Sequence, residues 1–178
     1  MITIIGAGRV GSESAYNILE DRIGDIVLID LQADLAKGEA LDMTQAAPAI
    51  EFDGKIHGTA DFADMEGSEL VILIAGQARK PDMTRIDLMN NNAKIVRGVV
   101  KEIARYAPDC KLMIVTNPVD IMTYIARKES SCPRTMFSAW ETSSTQCDSA
   151  ATLPRSWEFH AKIPTRWSSA STVSPWLP

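Results

Sequence analysis

Met1-Ile2-Thr3-Ile4-Ile5-Gly6-Ala7-Gly8-Arg9-Val10-Gly11 opens the chain, and its reading decides the fold. Residues 1–5 form an apolar run too short for a helix and bounded by glycine, which reads as a buried strand. The glycines at 6, 8 and 11 follow at once in the pattern G-x-G-x-x-G. Ser12 to Asp21 then carries helical spacing, with Ala15, Ile18 and Leu19 on one side. Asp25 to Ile29 is a second apolar strand, and it ends on Asp30. Strand, glycine turn, helix, strand and acid form one βαβ unit, whose strands must lie parallel.

Each part of this unit has a chemical use. Gly6 permits a tight turn, Gly8 lets backbone approach a pyrophosphate, and Gly11 lets helix and strand pack closely. The N-terminus of the helix offers unpaired N–H groups and the positive end of its dipole to phosphates. Asp30 lies 19 residues after Gly11, where a carboxylate accepts hydrogen bonds from ribose hydroxyls. A carboxylate there repels a 2′-phosphate, so NAD is favoured over NADP. A glycine pattern alone is weak; the flanking strand, helix and acid make this one specific for a dinucleotide.

Working outward, the same alternation continues to about residue 127. Leu35 to Met43 has helical spacing, with Asp34 as the expected N-cap and Pro48 as a boundary. Lys55 to Gly58 is a weak strand candidate. Leu70 to Ala75 is the strongest, an unbroken apolar run suited to a strand covered on both faces, and Lys111 to Val115 is another. A long helix over about 85–107 lies between them. It is announced by Thr84 and Asp87 as a variant capping box, carried by Ile86, Met89, Ala93, Val96, Val100 and Ile103, and ended by Pro108. The expected fold class is α/β, a doubly wound parallel sheet. Gly6, Asp30, Gly76 and Thr116-Asn117 all follow strand ends, so they can converge on one crevice at the carboxyl edge of the sheet.

The loop Gly76-Gln77-Ala78-Arg79-Lys80-Pro81-Asp82-Met83-Thr84-Arg85 holds three cations within seven residues. Composition alone leaves two readings open, a solvated surface loop or a loop that closes over an anionic substrate. In the second, one arginine can hold a carboxylate bidentately while the other polarises a carbonyl.

The bulk properties exclude several classes. With 178 residues the chain is long enough for one domain with a real core. A net charge of −5 makes no electrostatic case for nucleic acid. No apolar run is long enough to span a membrane, and Met1-Ile2-Thr3 lacks the basic region of a secretory signal. Cys110, Cys132 and Cys147 have neither zinc spacing nor a paired pattern, so a cytoplasmic protein with reduced thiols is expected. Cys110 reads as packed rather than reactive, Glu39 and Asp42 as solvated helix charges, and His57 as structural or exposed rather than catalytic.

These residues resemble the malate dehydrogenases of the lactate-dehydrogenase-like type. The likeness is carried by Gly6 to Gly11, Asp30, Ala75-Gly76-x-x-Arg79-Lys80-Pro81-x-Met83-Thr84-Arg85, Asp87-Leu88-x-x-x-Asn92 and Val115-Thr116-Asn117-Pro118-Val119-Asp120, and covers residues 1 to about 127. The resemblance implies that Gly6, Ala7, Gly8, Arg9, Val10, Gly11, Asp30, Asn92, Val115, Thr116 and Asn117 serve an NAD cofactor, with Asn92 and Val115 on the nicotinamide side. It implies that Arg79 binds the distal carboxylate of malate or oxaloacetate, Arg85 polarises the substrate carbonyl, and Asn117 contacts both substrate and cofactor. Lactate dehydrogenases typically have glutamine at the position of Arg79, so the four-carbon diacid is expected. Asp82 stands where the family normally has glycine. A homo-oligomer is expected for the intact enzyme by the same resemblance. A lactate or other 2-hydroxyacid dehydrogenase, and a non-catalytic NAD-binding fragment, are the competing readings.

Residues 128–178 read as a different text. All ten glycines lie at or before Gly98, all four tryptophans (Trp140, Trp157, Trp167, Trp176) lie after Arg127, and so do eleven of fourteen serines. The family continues with a catalytic Asp–His pair and another arginine, and no such pattern is visible here; His160 near Glu158 lacks its surroundings. The genetic code offers a reason. Read from the third base of each codon, Trp140-Glu141 forces glycine and Met136-Phe137 forces valine. In that frame Thr135 to Gln146 permits D-V-F-G-M-G-N-Q-L-D-S, which resembles the family's lead into its substrate-side Asp and Arg. Ala161 to Trp176 permits V-V-G-E-H-G-x-S-M, which resembles its catalytic-histidine loop. The expectation is a change of reading frame between about Arg127 and Cys132, consistent with one lost nucleotide, leaving 128–178 as a poorly ordered replacement for the substrate domain without the general base. The rival is a genuine serine-rich disordered tail.

Overall fold

A computed structural model describes residues 1–78, 81–130 and 137–139. Among them, six strands form one sheet in the order β3-β2-β1-β4-β5-β6. In chain order they are β1 (Ile2–Ile5), α1 (Arg9–Glu20), β2 (Ile26–Ile29), α2 (Ala33–Ala46), β3 (Ile56–Thr59), β4 (Leu70–Leu73), α3 (Arg85–Tyr106), β5 (Lys111–Ile114), α4 (Val119–Glu129) and β6 (Phe137–Ala139). All the strand pairings are parallel, and the order reverses direction between β1 and β4, the dinucleotide-binding arrangement.

The register explains the two layers of helices. Ile4 sits level with Leu28 and Ile72, and Ile72 with Met113; these side chains meet Ala15 and Leu19 of α1 and Ala36, Ala40 and Met43 of α2. One residue further on, Ile5 is level with Ile29 and Leu73, and Leu73 with Ile114; these meet Val96, Val100 and Ile103 of α3 and Met122 and Ala126 of α4. Successive side chains point to opposite faces, so continuous apolar strands need helices on both sides. The doubly wound parallel sheet is therefore as expected. Thr3 is the polar exception within β1, and its hydroxyl pairs with that of Ser68 at 2.7 Å.

Several boundaries differ from the sequence reading. α1 begins at Arg9 rather than Ser12, because the helix starts directly out of the glycine turn, with Gly8 as its N-cap. α2 runs Ala33–Ala46 with Gln32 at the N-cap position and no side-chain cap; Asp34 lies in the first turn, where its charge faces the positive dipole end, and does not cap. α4 was not expected. Pro118 precedes it as N-cap, Val119 is buried in its first turn, and Met122 and Ala126, with Ile121 and Ile125 beside them, join the apolar layer on the α3 side of the sheet. It runs past residue 127 to Glu129, which pairs with Arg97 of α3 at 3.4 Å. Beyond β5 the sheet continues with β6, three residues of the serine-rich segment, in register with Leu112–Ile114. The expectation of a poorly ordered 128–178 otherwise falls outside the described residues.

His57 is exposed on edge strand β3, with its Nε2 3.2 Å from Asp64, away from the crevice edge, as expected of a non-catalytic histidine. Cys110 is buried, as expected.

Candidate active site

The strand register places four strand ends side by side: Ile5 against Ile29 and Leu73, and Leu73 against Ile114. The segments leaving those ends are the glycine turn, the Asp30 loop, the Gly76 loop and the Thr116-Asn117 loop. Each is tied to its neighbour through backbone.

The glycine turn is built by close approach. Gly6 has φ of +110°, and a Cβ there would sit 2.8 Å from the Ala75 nitrogen. A Cβ on Gly11 would collide with the carbonyl oxygen of Gly6, so α1 can lie this near β1 only with glycine at its third position. Gly8 is the contrast. It has an ordinary φ of −72°, and a Cβ would meet nothing within 4 Å. The protein's own side chains give no packing reason for glycine at 8, and the open space beside it leaves room for a ligand to approach. No side chain caps the start of α1, so the N–H groups of its first turn are left without a side-chain partner beside Gly8. The residues therefore fit a bound pyrophosphate.

Asp30 is positioned rather than merely present. Its own N–H donates to the Thr59 carbonyl at 3.1 Å. Its carboxylate accepts from the Ala7 N–H at 2.8 Å through Oδ2 and from the Gln32 N–H at 3.0 Å through Oδ1. The acid is thus held against the glycine turn, and each oxygen keeps acceptor capacity for a ribose hydroxyl.

On the other side of the crevice, Thr84 and Asp87 form a full capping box: the Asp87 N–H donates to the Thr84 hydroxyl at 3.1 Å and the Asp87 carboxylate accepts from the Thr84 N–H at 3.2 Å. The Thr84 hydroxyl and N–H together hold the Asp87 carboxyl below its ordinary 3.8. This cap fixes where α3 begins, and with it the exposed Arg85, its first residue. Arg79 lies outside the described residues.

Thr116 is buried, and its hydroxyl donates to the Ala75 carbonyl at 2.9 Å. Val115 donates its N–H to the Leu73 carbonyl at 2.9 Å. Asn117 is exposed at the crevice edge, and the Asn117–Pro118 peptide bond is cis. Asn92 is only 2% exposed, and its amide is committed to backbone: Oδ1 accepts from the Gln77 N–H at 2.8 Å and Nδ2 donates to the Asn117 carbonyl at 2.8 Å. Gln77 was not foreseen as a member of this group. Its only signal in sequence was Asn92 itself, a polar residue on the buried stripe of an amphipathic helix, which needs polar partners. Among the described residues there is no cluster of metal-ligating side chains, and no helix is long and apolar enough to cross a membrane.

Residues 1–138 match the sequence pattern of the lactate/malate dehydrogenase NAD-binding domain. The chain is 50% identical over 135 residues to malate dehydrogenase of Oceanobacillus iheyensis, covering 75% of this chain and 43% of that protein. It is 48% identical to malate dehydrogenase of Archaeoglobus fulgidus, solved in complex with NADH, with a TM-score of 0.74 over 76% of this chain and 47% of that one. A lactate dehydrogenase of Cryptosporidium parvum, solved with lactic acid and its dinucleotide, is 33% identical with a TM-score of 0.72 over 76% of this chain and 43% of that one. The chain spans less than half the length of the curated relatives it matches. On the strength of this match and of the crevice geometry, the chain belongs to the lactate/malate dehydrogenase family and carries that family's NAD-binding domain.

Proposed function

We propose that this chain is the NAD-binding half of a malate dehydrogenase, a cytoplasmic homo-oligomeric enzyme that interconverts malate and oxaloacetate. The observation that carries the cofactor choice is Asp30, held by the Ala7 N–H at 2.8 Å beside the uncapped start of α1. When bound, NAD accepts or returns the hydride at carbon 2 of the substrate. The chain's own residues do the rest. Gly6 to Gly11 receive the pyrophosphate, Asp30 the adenosine ribose, and Val115, Thr116 and Asn117 line the nicotinamide side. Arg85 polarises the substrate carbonyl, and Arg79 pairs with the distal carboxylate; this arginine favours the diacid over a lactate-type substrate with a methyl group in its place.

The proton-handling histidine is missing from this translation, so the chain as it stands binds cofactor and turns over little or no substrate. A change of reading frame between about Arg127 and Cys132 accounts for that loss. In its support, likeness to the relatives ends after about 135 residues while this chain runs on to 178.

Two measurements test the proposal. In titrations of the full chain, NADH is expected to bind in clear preference to NADPH, and Asp30→Asn to narrow that preference by removing the charge that repels the 2′-phosphate; equal binding of both by the unaltered chain would overturn the cofactor assignment. The DNA across codons 120 to 178 tests the rest. If one base restores the V-F-G-M-G-N frame, the repaired protein is expected to reduce oxaloacetate with NADH and to discriminate against pyruvate. If neither frame contains those motifs, the frame argument fails.

A further inference from the structure

The two loops on the nicotinamide side of the crevice leave different strands, yet side chains join them, and one of these, Asn92, reaches both at once. Asn92, on the second turn of α3, accepts the Gln77 N–H through Oδ1 and donates to the Asn117 carbonyl through Nδ2, both at 2.8 Å. The neighbouring Asn91 adds a bond from its Nδ2 to Gln77 Oε1 at 3.1 Å. Thr116 makes a second tie between the loops, from its hydroxyl to the Ala75 carbonyl. Gly76 leaves the space in which these ties fit: a Cβ there would lie 2.8 Å from Thr116 Cγ2 and 3.4 Å from Asn92 Oδ1. With 2% of its surface exposed, Asn92 has almost nothing left with which to touch a ligand.

We infer that Asn92 is a positioning residue: it does not hold the cofactor itself but locks the Gln77 and Asn117 backbones into one unit, so that α3, the segment at Gln77 and the Asn117 loop keep a common geometry. The physical reason is that the buried Asn92 amide must satisfy its own polar atoms, and it does so on two backbone groups of the part-buried junction. Two loops with separate anchors would drift independently; with one shared anchor they hold a relative placement that nicotinamide and substrate both need. This inference rests on the proposed reading of that side of the crevice as the nicotinamide side.

The test compares NADH with ADP-ribose, which shares the adenosine, pyrophosphate and ribose but lacks nicotinamide, together with hydrogen exchange of the ligand-free full chain. The variants are Asn92→Ala, which removes both bonds, and Asn92→Asp, nearly isosteric, which keeps the acceptor for Gln77 and loses the donor to Asn117. Both are expected to bind ADP-ribose nearly as the unaltered chain does and to lose about tenfold in affinity for NADH, the weight of one buried hydrogen bond. Without ligand, exchange is expected to quicken at Gln77 and over 115–117 in Asn92→Ala, and over 115–117 alone in Asn92→Asp. If Asn92→Ala fails to fold, the Asn92→Asp pattern decides. If the unaltered chain binds NADH no better than ADP-ribose, the nicotinamide-side reading fails. If it prefers NADH and Asn92→Asp keeps that preference, the inference alone fails. A lost preference with unchanged exchange in the ligand-free variants would make Asn92 a direct ligand contact and overturn the positioning role.

Discussion

Three glycines in one turn have unlike surroundings, and the difference can be measured. Gly11→Ala drives a methyl group into the Gly6 carbonyl, so α1 must move off β1. This overpacking is expected to cost about 2–3 kcal/mol, read as a lower urea midpoint. Gly8→Ala meets no protein atom and changes only the N-cap of α1, so it is expected to cost no more than about 1 kcal/mol, well short of Gly11→Ala. Its methyl group stands instead where a pyrophosphate must approach, so NADH affinity is expected to fall by about tenfold, or about 1.4 kcal/mol. A Gly8→Ala chain that binds NADH normally would remove the ligand explanation for this glycine. The sequence pattern treats all three positions alike; only their neighbours in space separate packing from binding.

Among the elements, α3 is the one whose start carries chemistry. Its 22 residues are stabilised mainly by the apolar stripe Ala93, Val96, Val100 and Ile103, while the capping box decides where the first turn begins. Thr84→Ala is expected to cost about 1 kcal/mol in thermal or urea unfolding. The pH dependence has a definite sign. The Thr84 hydroxyl and N–H lower the Asp87 carboxyl in the folded chain, so its contribution is complete above the ordinary value of 3.8 and is lost as pH falls through the lowered folded value. Unfolding measured from pH 6 downward is expected to show a smaller acid-induced loss in Thr84→Ala than in the unaltered chain; equal slopes would show that the cap does not act through Asp87.

For the whole molecule, stability lies in two apolar layers separated by one sheet. Ile4 is fully buried on the α1 and α2 side and Leu73 on the α3 and α4 side. Ile4→Ala and Leu73→Ala are each expected to cost about 3 kcal/mol, with the slope of unfolding against urea unchanged. Because the two residues lie on opposite faces, their effects are expected to add to within about 0.5 kcal/mol. A clear departure from additivity would show that the layers do not respond independently. Both layers reach the strand ends from which the crevice loops leave, so those loops stand directly on the core that holds the chain folded.

Local signals carried far into this protein. Period, punctuation and the position of an acid after the second strand were enough for the parallel sheet, the glycine turn, Asp30 and the cap of α3, because each is set by residues near one another in the chain. Other features depended on distant partners. α4 has only a short stripe, Met122 and Ala126 flanked by Ile121 and Ile125, which becomes a helix face because the α3 side of the sheet receives it. Asp34 resembled a cap, but the helix begins two residues earlier than the sequence reading placed it and leaves that acid in its first turn. The role of Asn92 could not be read from its neighbours in sequence, since Gln77 and Asn117 lie 15 and 25 residues away and meet it only when β4, α3 and β5 pack. Sequence by itself determined the elements, the fold class and the kind of ligand, which follow from short-range sterics and hydrophobic periodicity. Tertiary structure alone decided which glycine is packed against backbone and which has open space beside it, and which polar side chain ties the crevice together, because those are questions of what occupies the space beside a residue.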